Sequence, residues 1–350
     1  MRVAIDVSPL KSGHQFRGIG AYTKRLVEAL QLIKVANFEM ELIEKGEIPK
    51  DCDLIHYPYF DLFFRTLPLM RKKRTVVTIH DTTPLVFPEH YPPGIKGRIR
   101  FGAQKLALKT VGGVITDSKN SRNDIAKYLN YSKEKIHIIY LAATDIFKPI
   151  TDRRSLVTVK QKYHLPNQFV LYVGDVNYNK NILGLVKACK SIKTSLVIVG
   201  KQSVQKKFDK SHIENQPLVQ LIKEYGKDQG VLRVGFVTGE NLVGLYNLAT
   251  VYCQPSFYEG FGLPILEAMA CGTPVVTSRK ASLSEIAGKA AVFIDPYDIN
   301  DIANGLTVAI DDEDLREDLI ERGLEQAKKF SWEKVANETY KVYQKVVERK

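Results

Sequence analysis

The segment 257–269 carries the residues best suited to chemistry, in the order Phe-Tyr-Glu-Gly-Phe-Gly-Leu-Pro-Ile-Leu-Glu-Ala-Met. Gly260 and Gly262 allow a backbone to approach a ligand closely, and Pro264 suits the first position of a helix. The free N–H groups at such a helix start bind phosphate. Glu259 before this loop and Glu267 in the first turn of the helix supply carboxylates that can bind sugar hydroxyls. For Glu267 alone, the alternative is an acid that only stabilises the helix dipole.

Lys180 is a second candidate. It lies shortly after Gly174, which follows a predicted strand at 169–173. A fixed ammonium at this place could bind an anionic ligand. The alternative is a solvated lysine at the start of a helix.

Two histidines close predicted strands. His80 and Asp81 follow the strand 75–79, and a histidine there is either a packed, hydrogen-bonded core residue or a group that contacts the substrate. His56 ends the preceding strand, next to the aromatic run 57–60. It could belong to an acceptor pocket or to an aromatic core, and the sequence leaves both possibilities open.

Glycines near the N-terminus and a pair of acids complete the candidates. Gly18 and Gly20 follow the first strand and would let backbone N–H groups approach a diphosphate, while Tyr22 is expected to pack in the helix.

Asp51 and Asp53 form an Asp-Cys-Asp triplet that invites a metal hypothesis. The triplet precedes a strand instead of ending one, so it lies at the wrong edge of the sheet, and we predict no metal site.

Short β-branched runs alternate with helical stretches along the whole chain. Strands are predicted at 3–7, 38–43, 54–57, 75–79, 114–116 and 136–139, and then at 169–173, 196–199, 232–234, 251–254, 275–277 and 292–294. Helices are predicted at 20–30, 94–109 and 121–129, and from Asn181, with Ser121 as the N-cap of the third. This alternation is typical of parallel βαβ units.

The polar stretch 151–154 is predicted to link two domains. We expect one Rossmann-like domain at 1–150 and a second at 151–330, both doubly wound α/β sheets, facing each other across a cleft. A helix at 331–350, capped by Ser331, should return to the first domain through its stripe Val335, Val342 and Val346. In such sheets ligands bind outside the carboxyl ends of the strands.

Composition excludes several classes of protein. The 350 residues are 44% hydrophobic and 26% charged, which is ordinary for a soluble two-domain chain. The sequence shows no membrane-spanning or secretory segment, so a cytoplasmic protein is expected. The cysteines are far apart in sequence, which predicts buried, reduced thiols and neither disulfides nor structural zinc. They are Cys52, Cys189, Cys253 and Cys271.

The formal net charge of +12 favours anionic partners. Residues 1–150 carry 24 basic and 15 acidic residues, net +9, so the first half is the basic one. No nucleic-acid-binding motif accompanies this charge, and nucleic acid is not predicted as a partner. The stretch 95–106 places Ile95, Ile99 and Leu106 on one helical side with Lys and Arg beside them. It either lies peripherally on an anionic membrane, at the inner face of the cell membrane, or covers the sheet.

Glu259 and Glu267 form an E-x7-E motif around Gly-Phe-Gly-Leu-Pro, followed at 270–276 by Ala-Cys-Gly-Thr-Pro-Val-Val. With these residues the segment resembles the family-4 retaining glycosyltransferases of the GT-B fold. The resemblance continues in Gly-Ile-Gly-Ala-Tyr at 18–22, Thr-Ile-His-Asp at 78–81 and the segment 288–295. It covers nearly the whole chain and is weaker before residue 165.

The resemblance implies a nucleoside-diphosphate-sugar donor as substrate and no further cofactor. The domain 151–330 would bind the nucleotide sugar, and the domain 1–150 would bind the acceptor. Glu267 would hold the nucleotide ribose, Glu259 would lie by the sugar hydroxyls, and His80 would lie beneath the donor sugar. Lys180 would meet the diphosphate and neutralise the charge that develops on it as it departs. The other donor-binding residues would be Gly18, Gly20, Gly235, Phe236, Gly260, Phe261, Gly262 and Leu263. The family commonly has an arginine close before the lysine, where this chain has Asp175 and Asn179. Either Arg279 or a base of the first domain would then substitute, or catalysis would be weak.

The expected reaction is transfer of a hexose to a hydroxyl of a glycan or lipid-linked acceptor, with retention at the anomeric carbon. The similarity of the N-terminal pattern to bacterial mannosyltransferases of surface polysaccharide assembly favours GDP-mannose, with UDP-glucose second. The alternatives are a phosphorylase or epimerase on the same fold, and a nucleotide-sugar-binding partner without catalysis.

Overall fold

The computed structural model describes residues 1–11, 18–44 and 46–348. The chain forms two compact units, one of Met1–Leu141 with Ser331–Lys350 and one of Ala142–Phe330. The boundary therefore lies nine residues before the predicted one at 150. Asn247 of the second unit explains the difference, because its side chain accepts from the Ile150 N–H at 2.7 Å and donates to the Lys148 carbonyl at 3.1 Å.

The first unit is built on a parallel sheet. Its strands are β1 (Arg2–Asp6), β2 (Glu39–Ile43), β3 (Leu54–Tyr57), β4 (Arg74–Thr78), β5 (Gly113–Thr116) and β6 (Ile136–Ile138), in the order β2-β1-β3-β4-β5-β6. Its helices are α1 (Gly18–Leu32), α2 (Thr83–Val86), α3 (Gly94–Leu108) and α4 (Lys119–Leu129). Every residue of β3 and of β5 is buried, as expected for strands covered on both faces.

The second unit repeats this design. Its strands are β7 (Phe169–Val173), β8 (Ser195–Val199), β9 (Val231–Gly235), β10 (Val251–Gln254), β11 (Val275–Ser278) and β12 (Val292–Ile294), in the order β12-β11-β10-β7-β8-β9. Its helices are α5 (Arg153–Lys162), α6 (Ile182–Ser191), α7 (Gln216–Tyr225), α8 (Gly239–Leu248), α9 (Leu263–Ala270), α10 (Leu283–Ala287), α11 (Ile299–Asp311) and α12 (Glu313–Ala327). Both doubly wound sheets confirm the predicted fold class.

The predicted strands agree with the structure to within two residues at each end. The predicted cap of α4 was wrong. Ser118 is the N-cap, because its hydroxyl accepts from the Ser121 N–H at 3.0 Å, and Ser121 is already inside the helix. The four cysteines are free and buried, as predicted.

The C-terminal helix α13 (Trp332–Glu348) belongs to the first unit. The Ser331 hydroxyl accepts from the Lys334 N–H at 3.2 Å, so the predicted cap is confirmed. The predicted stripe is buried, and its last valine, Val346, lies against Gly112 and Gly113 at the start of β5. A Cβ at Gly112 would lie 2.6 Å from the Val346 side chain, so the glycine makes room for the helix. Among the described residues, no helix is long and apolar enough to span a membrane.

Candidate active site

The strand order of the second unit reverses between β7 and β10, which pair directly. In open α/β sheets, ligands bind outside the carboxyl ends of the strands at such a switch point. The loop after β7 carries Lys180, and the loop after β10 carries Glu259. Two of the predicted site residues thus follow the two strands that flank the switch point.

The structure brings these two side chains into contact. Lys180 Nζ donates to both carboxylate oxygens of Glu259, at 2.8 Å and 2.6 Å. The side chains are 22% and 9% exposed, so the ion pair is largely removed from water. The alternative of a solvated lysine is therefore wrong.

Other donors fix the Glu259 carboxylate. Gln254 Nε2 donates to its Oε1 at 2.8 Å, and the Ser256 hydroxyl donates to the same oxygen at 2.7 Å. The Ser282 hydroxyl lies 2.9 Å from the backbone carbonyl of Glu259 and 2.8 Å from that of Phe261. Both the carboxylate and the backbone that carries it are held by hydrogen bonds.

Asn179 joins the two loops. Its side-chain amide donates to the Tyr258 carbonyl at 2.9 Å, and its own carbonyl accepts from the Phe257 N–H at 2.8 Å. The residue is buried. An arginine at this position would lose the contact of the side-chain amide with Tyr258. Arg279, one of the suggested substitutes for the family's arginine, places its guanidinium over the ring of Phe293 at 4.3 Å.

Glu267 lies on the same helix that follows the glycine loop. The helix begins at Leu263, so Glu267 lies in the second turn and the prediction of a first-turn position was wrong. The Tyr246 hydroxyl donates to its Oε2 at 2.8 Å. Burial raises the pKa of Glu267 to about 7, although the Tyr246 hydroxyl acts in the opposite direction. The carboxyl is thus poised to change charge near neutral pH.

Gly262 begins α9 with a backbone that suits glycine. Its φ is +98°, and a Cβ there would lie 2.8 Å from the Leu283 side chain. Both observations explain why the loop needs a glycine at this position. Leu263 and Pro264 then start the helix, while Gly260 and Phe261 are buried. Pro264 has no N–H and the Ile265 N–H donates to the Gly262 carbonyl at 2.9 Å, so the first turn offers fewer free donors than the sequence suggests.

Gly235 and Phe236 end β9 on the other side of the switch point. Gly235 has a φ of +83°, and the Phe236 ring is 52% exposed. An exposed aromatic ring at the carboxyl edge of a sheet offers a flat apolar surface to a ligand.

In the first unit, His80 is held by a carboxylate. Its Nδ1 lies 2.6 Å from Asp117 Oδ2, and the Tyr22 ring packs edge-on against the imidazole at 4.6 Å. Burial alone would lower the pKa of His80, but the charge and hydrogen bond of Asp117, with a smaller contribution from Asp81, outweigh it and the pKa is raised. Tyr22 is buried, which confirms its packing role. Gly18 and Gly20 lie in the first turn of α1.

His56 is a core residue. Its side chain is buried, with Nδ1 2.7 Å from the Tyr343 hydroxyl and Nε2 2.8 Å from the Thr78 hydroxyl. Burial lowers the pKa of His56 to about 3, so the ring is neutral. The suggestion that it belongs to an acceptor pocket was wrong, because both ring nitrogens are engaged inside the unit.

Helix α3 turns its apolar stripe to solvent. Ile95 is 81% exposed and Ile99 is 68% exposed, whereas Gln104, Ala107 and Leu108 make the buried face. The suggestion that the stripe covers the sheet is therefore wrong. The segment 64–72 meets α3 where Arg65 lies beside Ile99. Its exposed side chains are the apolar Phe64, Leu69 and Met70 and the basic Arg65 and Lys72, while Lys96 and Arg98 are exposed on α3 itself. We call this set, together with Ile95, Ile99 and Leu106, the basic-apolar face.

Not every basic residue nearby contributes its charge to this face. Lys105 Nζ donates to the Tyr128 carbonyl at 3.1 Å. The Arg71 guanidinium donates to the carbonyls of Pro68 and Ala107. Both cations serve contacts within the unit.

The metal hypothesis gains no support from the geometry. Asp53 Oδ2 accepts from the Arg2 N–H at 2.8 Å, which ties this acid to the sheet. Within residues 1–11, 18–44 and 46–348, no group of three or more His, Cys, Asp or Glu side chains could hold a metal ion.

Sequence reasoning missed several supporting residues, namely Gln254, Ser256, Tyr246, Tyr252 and Asp117. Two of them carried a recognisable signal. Gln254 is a polar residue at the end of an apolar strand, and Asp117 directly follows β5, so both lie where ligands bind in such sheets. Tyr246 and Tyr252 read as ordinary core aromatics.

The two halves of the chain match models of known families. Residues 158–326 match the model for glycosyl transferases group 1, and residues 16–143 match that for glycosyltransferase family 4. O-antigen chain mannosyltransferase B of Escherichia coli is 35% identical, over 98% of this chain and 99% of the relative.

Solved structures share the fold. Sucrose-phosphate synthase from Thermosynechococcus elongatus has a TM-score of 0.75 at 21% identity, over 98% of both chains. Anabaena HepE, in complex with UDP and glucose, has a TM-score of 0.72 at 18% identity, over 98% of this chain and 99% of that one. The motif, the paired sheets and the full-length relative agree, and the chain belongs to the family-4 glycosyltransferases of the GT-B fold.

Proposed function

We propose that the protein is a retaining hexosyltransferase that moves mannose from GDP-mannose to a hydroxyl of a glycan or lipid-linked acceptor. The observation that carries the proposal is the Lys180–Glu259 ion pair at the switch point, next to the glycine start of α9. The name of the 35% identical relative, an O-antigen chain mannosyltransferase, supports mannose as the sugar. UDP-glucose is the second candidate donor.

The donor would bind mainly to the second unit. In this proposal Glu267 binds the ribose hydroxyls, and Phe236 with the Gly235 backbone lies by the base. Lys180 and the N–H groups around Gly262 bind the diphosphate. The further diphosphate contacts would be Gly18, Gly20, Gly260, Phe261 and Leu263. Glu259 would orient the sugar hydroxyls, and His80 would lie beneath the sugar.

Transfer would occur on one face of the sugar. Glu259 is a poor nucleophile, because its Oε1 accepts from Lys180, Gln254 and Ser256 and its Oε2 accepts from Lys180. We therefore favour a displacement in which the bond from the anomeric carbon to the phosphate oxygen breaks as the acceptor oxygen bonds from the same face. The acceptor proton passes to the leaving phosphate oxygen, so no protein base is required. Lys180 stabilises the charge that develops on the diphosphate.

We also propose that the basic-apolar face contacts an anionic membrane, where a lipid-linked acceptor would reside. Exposed apolar side chains that alternate with cations are the pattern of a surface that lies in the membrane interface. Met70 is 90% exposed and Ile95 81%, which a surface facing only water would not favour. The site of action would be the inner face of the cell membrane.

A donor panel tests the reaction. Thermal shift with GDP-mannose, UDP-glucose and other nucleotide sugars should single out one donor, since a ligand at 100-fold its Kd stabilises a protein by about 2.7 kcal/mol. NMR of the transfer product then shows whether the anomeric configuration is retained. Inversion would refute the displacement above. Release of free nucleoside diphosphate only with acceptor present argues against a phosphorylase or epimerase, and donor binding without transfer would indicate a non-catalytic partner.

A further inference from the structure

Two buried tyrosines lie behind the two glutamates of the E-x7-E motif. Tyr246 is on α8 and Tyr252 is on β10, and their ring centroids are 5.6 Å apart. Both residues are fully buried. The Tyr246 hydroxyl donates directly to Glu267, whereas the Tyr252 hydroxyl donates at 2.9 Å to Gln254 Oε1.

The hydrogen bond from Tyr252 decides how the Gln254 amide is turned. A tyrosine hydroxyl that donates to the amide oxygen leaves the NH₂ group on the other side, where it can only donate. That NH₂ group meets Glu259 Oε1 at 2.8 Å. The Thr277 hydroxyl also donates to the Gln254 backbone carbonyl at 2.8 Å, which fixes the end of β10. The amide therefore has one orientation that satisfies all of its partners.

A continuous chain of donors and acceptors results. It runs from the Tyr252 hydroxyl through the Gln254 amide to the Glu259 carboxylate and ends at the Lys180 ammonium. Burial and the neighbouring Tyr172 raise the pKa of Tyr252 well above its ordinary value, so the hydroxyl keeps its proton. A buried network in which each member is satisfied holds its members in one arrangement.

We propose that Tyr252 and Gln254 are positioning residues, which fix Glu259 and through it the Lys180 ammonium. Tyr246 does the same for Glu267 alone. One hydrogen-bond network thus holds Glu259 and Lys180, which would contact the sugar and the diphosphate. A separate hydrogen bond holds Glu267, which would contact the ribose. The chemical purpose rests on the proposed function, whereas the positioning itself does not.

Conservative variants distinguish the hydrogen-bond network of Glu259 from that of Glu267. Tyr252→Phe and Tyr246→Phe each remove one buried hydroxyl from the same aromatic pair, and Tyr131→Phe removes one from the first unit, where that hydroxyl donates to the Val111 carbonyl. A small reagent that acylates lysine amines modifies Lys180 at a rate that mass spectrometry can follow. This rate reports how firmly Glu259 holds the ammonium. This readout needs neither donor nor acceptor.

We expect Gln254→Leu to raise the labelling rate of Lys180 by about tenfold, the scale of one hydrogen bond to a charged group. Tyr252→Phe should raise it by about fivefold, because the bond that it removes joins two neutral groups. Tyr246→Phe and Tyr131→Phe should leave the labelling rate at the wild-type value. Calorimetry with GDP should show weaker binding in Tyr246→Phe, because Glu267 loses its fixed orientation. Turnover with GDP-mannose should fall in Tyr252→Phe with little change in the KM for donor.

Equal labelling rates of Lys180 in Tyr252→Phe and Tyr246→Phe would overturn the positioning proposal. If Gln254→Leu does not fold, as its circular dichroism would show, Tyr252→Phe alone decides, since it keeps the ring and removes only the hydroxyl. A wild-type protein that transfers no sugar, yet shows the expected labelling pattern, would refute the proposed function and leave the positioning role intact.

Discussion

Lys180 Nζ lies 2.8 Å and 2.6 Å from the two carboxylate oxygens of Glu259. This ion pair joins the loops after β7 and β10, the two strands that flank the switch point of the sheet. The lysine and the glutamate are 79 residues apart in sequence. The pair contains opposite charges before any ligand arrives, so a bound diphosphate would compete with Glu259 for the ammonium.

Loss of the lysine tests the centre of the site. Lys180→Ala should lower kcat by about 10² to 10³, the scale of removing one preorganised charge-stabilising donor. The variant should also be less stable than the wild type, because Glu259 keeps a largely buried charge without its partner. Steady-state kinetics and urea unfolding measure the two effects.

The double variant Lys180→Ala with Glu259→Gln separates them. It should recover part of the lost stability, because no uncompensated carboxylate remains, and none of the lost turnover. A single Lys180→Ala enzyme with most of its turnover intact would show that Arg279 or another base carries the leaving-group charge.

The two glutamates should differ in what they bind. Glu267→Ala should weaken binding of free GDP by roughly 1.5 to 3 kcal/mol, since a charge-assisted hydrogen bond to the ribose is lost. Glu259→Ala should spare GDP binding and reduce turnover or sugar discrimination. Calorimetry with GDP checks both, and an equal loss of affinity in the two variants would contradict the division of roles.

Glu267 should also make stability depend on pH. Its pKa is about 7 in the folded protein against an ordinary value of 4.5, so between these pH values the folded chain holds a proton that the unfolded chain has released. The free energy of unfolding must then fall as pH rises through this window. The contribution is complete below about pH 4.5 and is lost above about pH 7.

Glu267→Gln removes this ionisation. Its stability relative to the wild type should increase from about pH 5 to pH 8, approaching about 3 kcal/mol at the upper end. Urea unfolding of both proteins at each pH measures the difference, in which the other titrating groups cancel. A difference that does not change with pH would mean that Glu267 ionises in the folded protein as it does in the unfolded chain.

Gly262 offers a test of the loop that starts α9. Gly262→Ala combines a φ of +98° with a Cβ 2.8 Å from Leu283, and should destabilise the protein by about 1 to 3 kcal/mol. Gly102→Ala is the matched control, because Gly102 is exposed inside α3 and its Cβ would meet no atom within 4 Å. The control should stabilise by up to about 1 kcal/mol, since alanine is the better helix former. Thermal unfolding measures the stability of both variants. Equal stabilities would show that the backbone at Gly262 is not strained by a side chain.

The basic-apolar face predicts that both electrostatic attraction and apolar burial contribute to membrane binding. Vesicles with anionic phosphatidylglycerol should bind the protein, and salt should weaken binding, since charges are screened beyond about 8 Å at physiological ionic strength. Ile95→Ser with Ile99→Ser should weaken binding at every salt concentration, because each buried isoleucine is worth about 1.5 to 3 kcal/mol. Leu32→Ser is the apolar control, as Leu32 is 78% exposed at the end of α1 and is not part of the face.

Lys105→Gln serves as the basic control. Its ammonium is engaged by the Tyr128 carbonyl, so Lys105→Gln should weaken vesicle binding less than Lys96→Gln, which removes the same single charge from an exposed side chain. Co-sedimentation with vesicles measures this binding. If it changes neither with lipid charge nor with the isoleucine substitutions, the basic-apolar face binds a partner other than the membrane.

The sequence predicted the strands well because each is a short β-branched run, and the burial of parallel strands on both faces demands that pattern. Glu267 was placed one turn too early because glycine and proline mark the start of α9 only approximately. The α3 stripe shows a different limit. Its helical period could be predicted, but the side that faces solvent depends on Gln104 and Leu108 packing inward, which only the tertiary structure determines.

The contacts of the site were the least predictable part. Lys180 and Glu259 were found separately, through their positions after β7 and β10, but only the pairing of those two strands brings them together. Asn179 appeared to be a gap where the family has an arginine. In the structure it joins two loops through its side-chain amide and its backbone carbonyl, a role that no local pattern reveals.

Helix α13 has a consequence for biosynthesis. The first unit needs residues after Ser331 to cover its sheet, yet all of the second unit is translated in between. On the ribosome, residues 1–141 must therefore wait with the surface around Gly112 and Gly113 uncovered while residues 142–330 are made and can fold. Synthesis of the segment after Ser331, and not of the strands of the first unit, completes that unit, and a chaperone that binds exposed apolar surface would find its target during that interval.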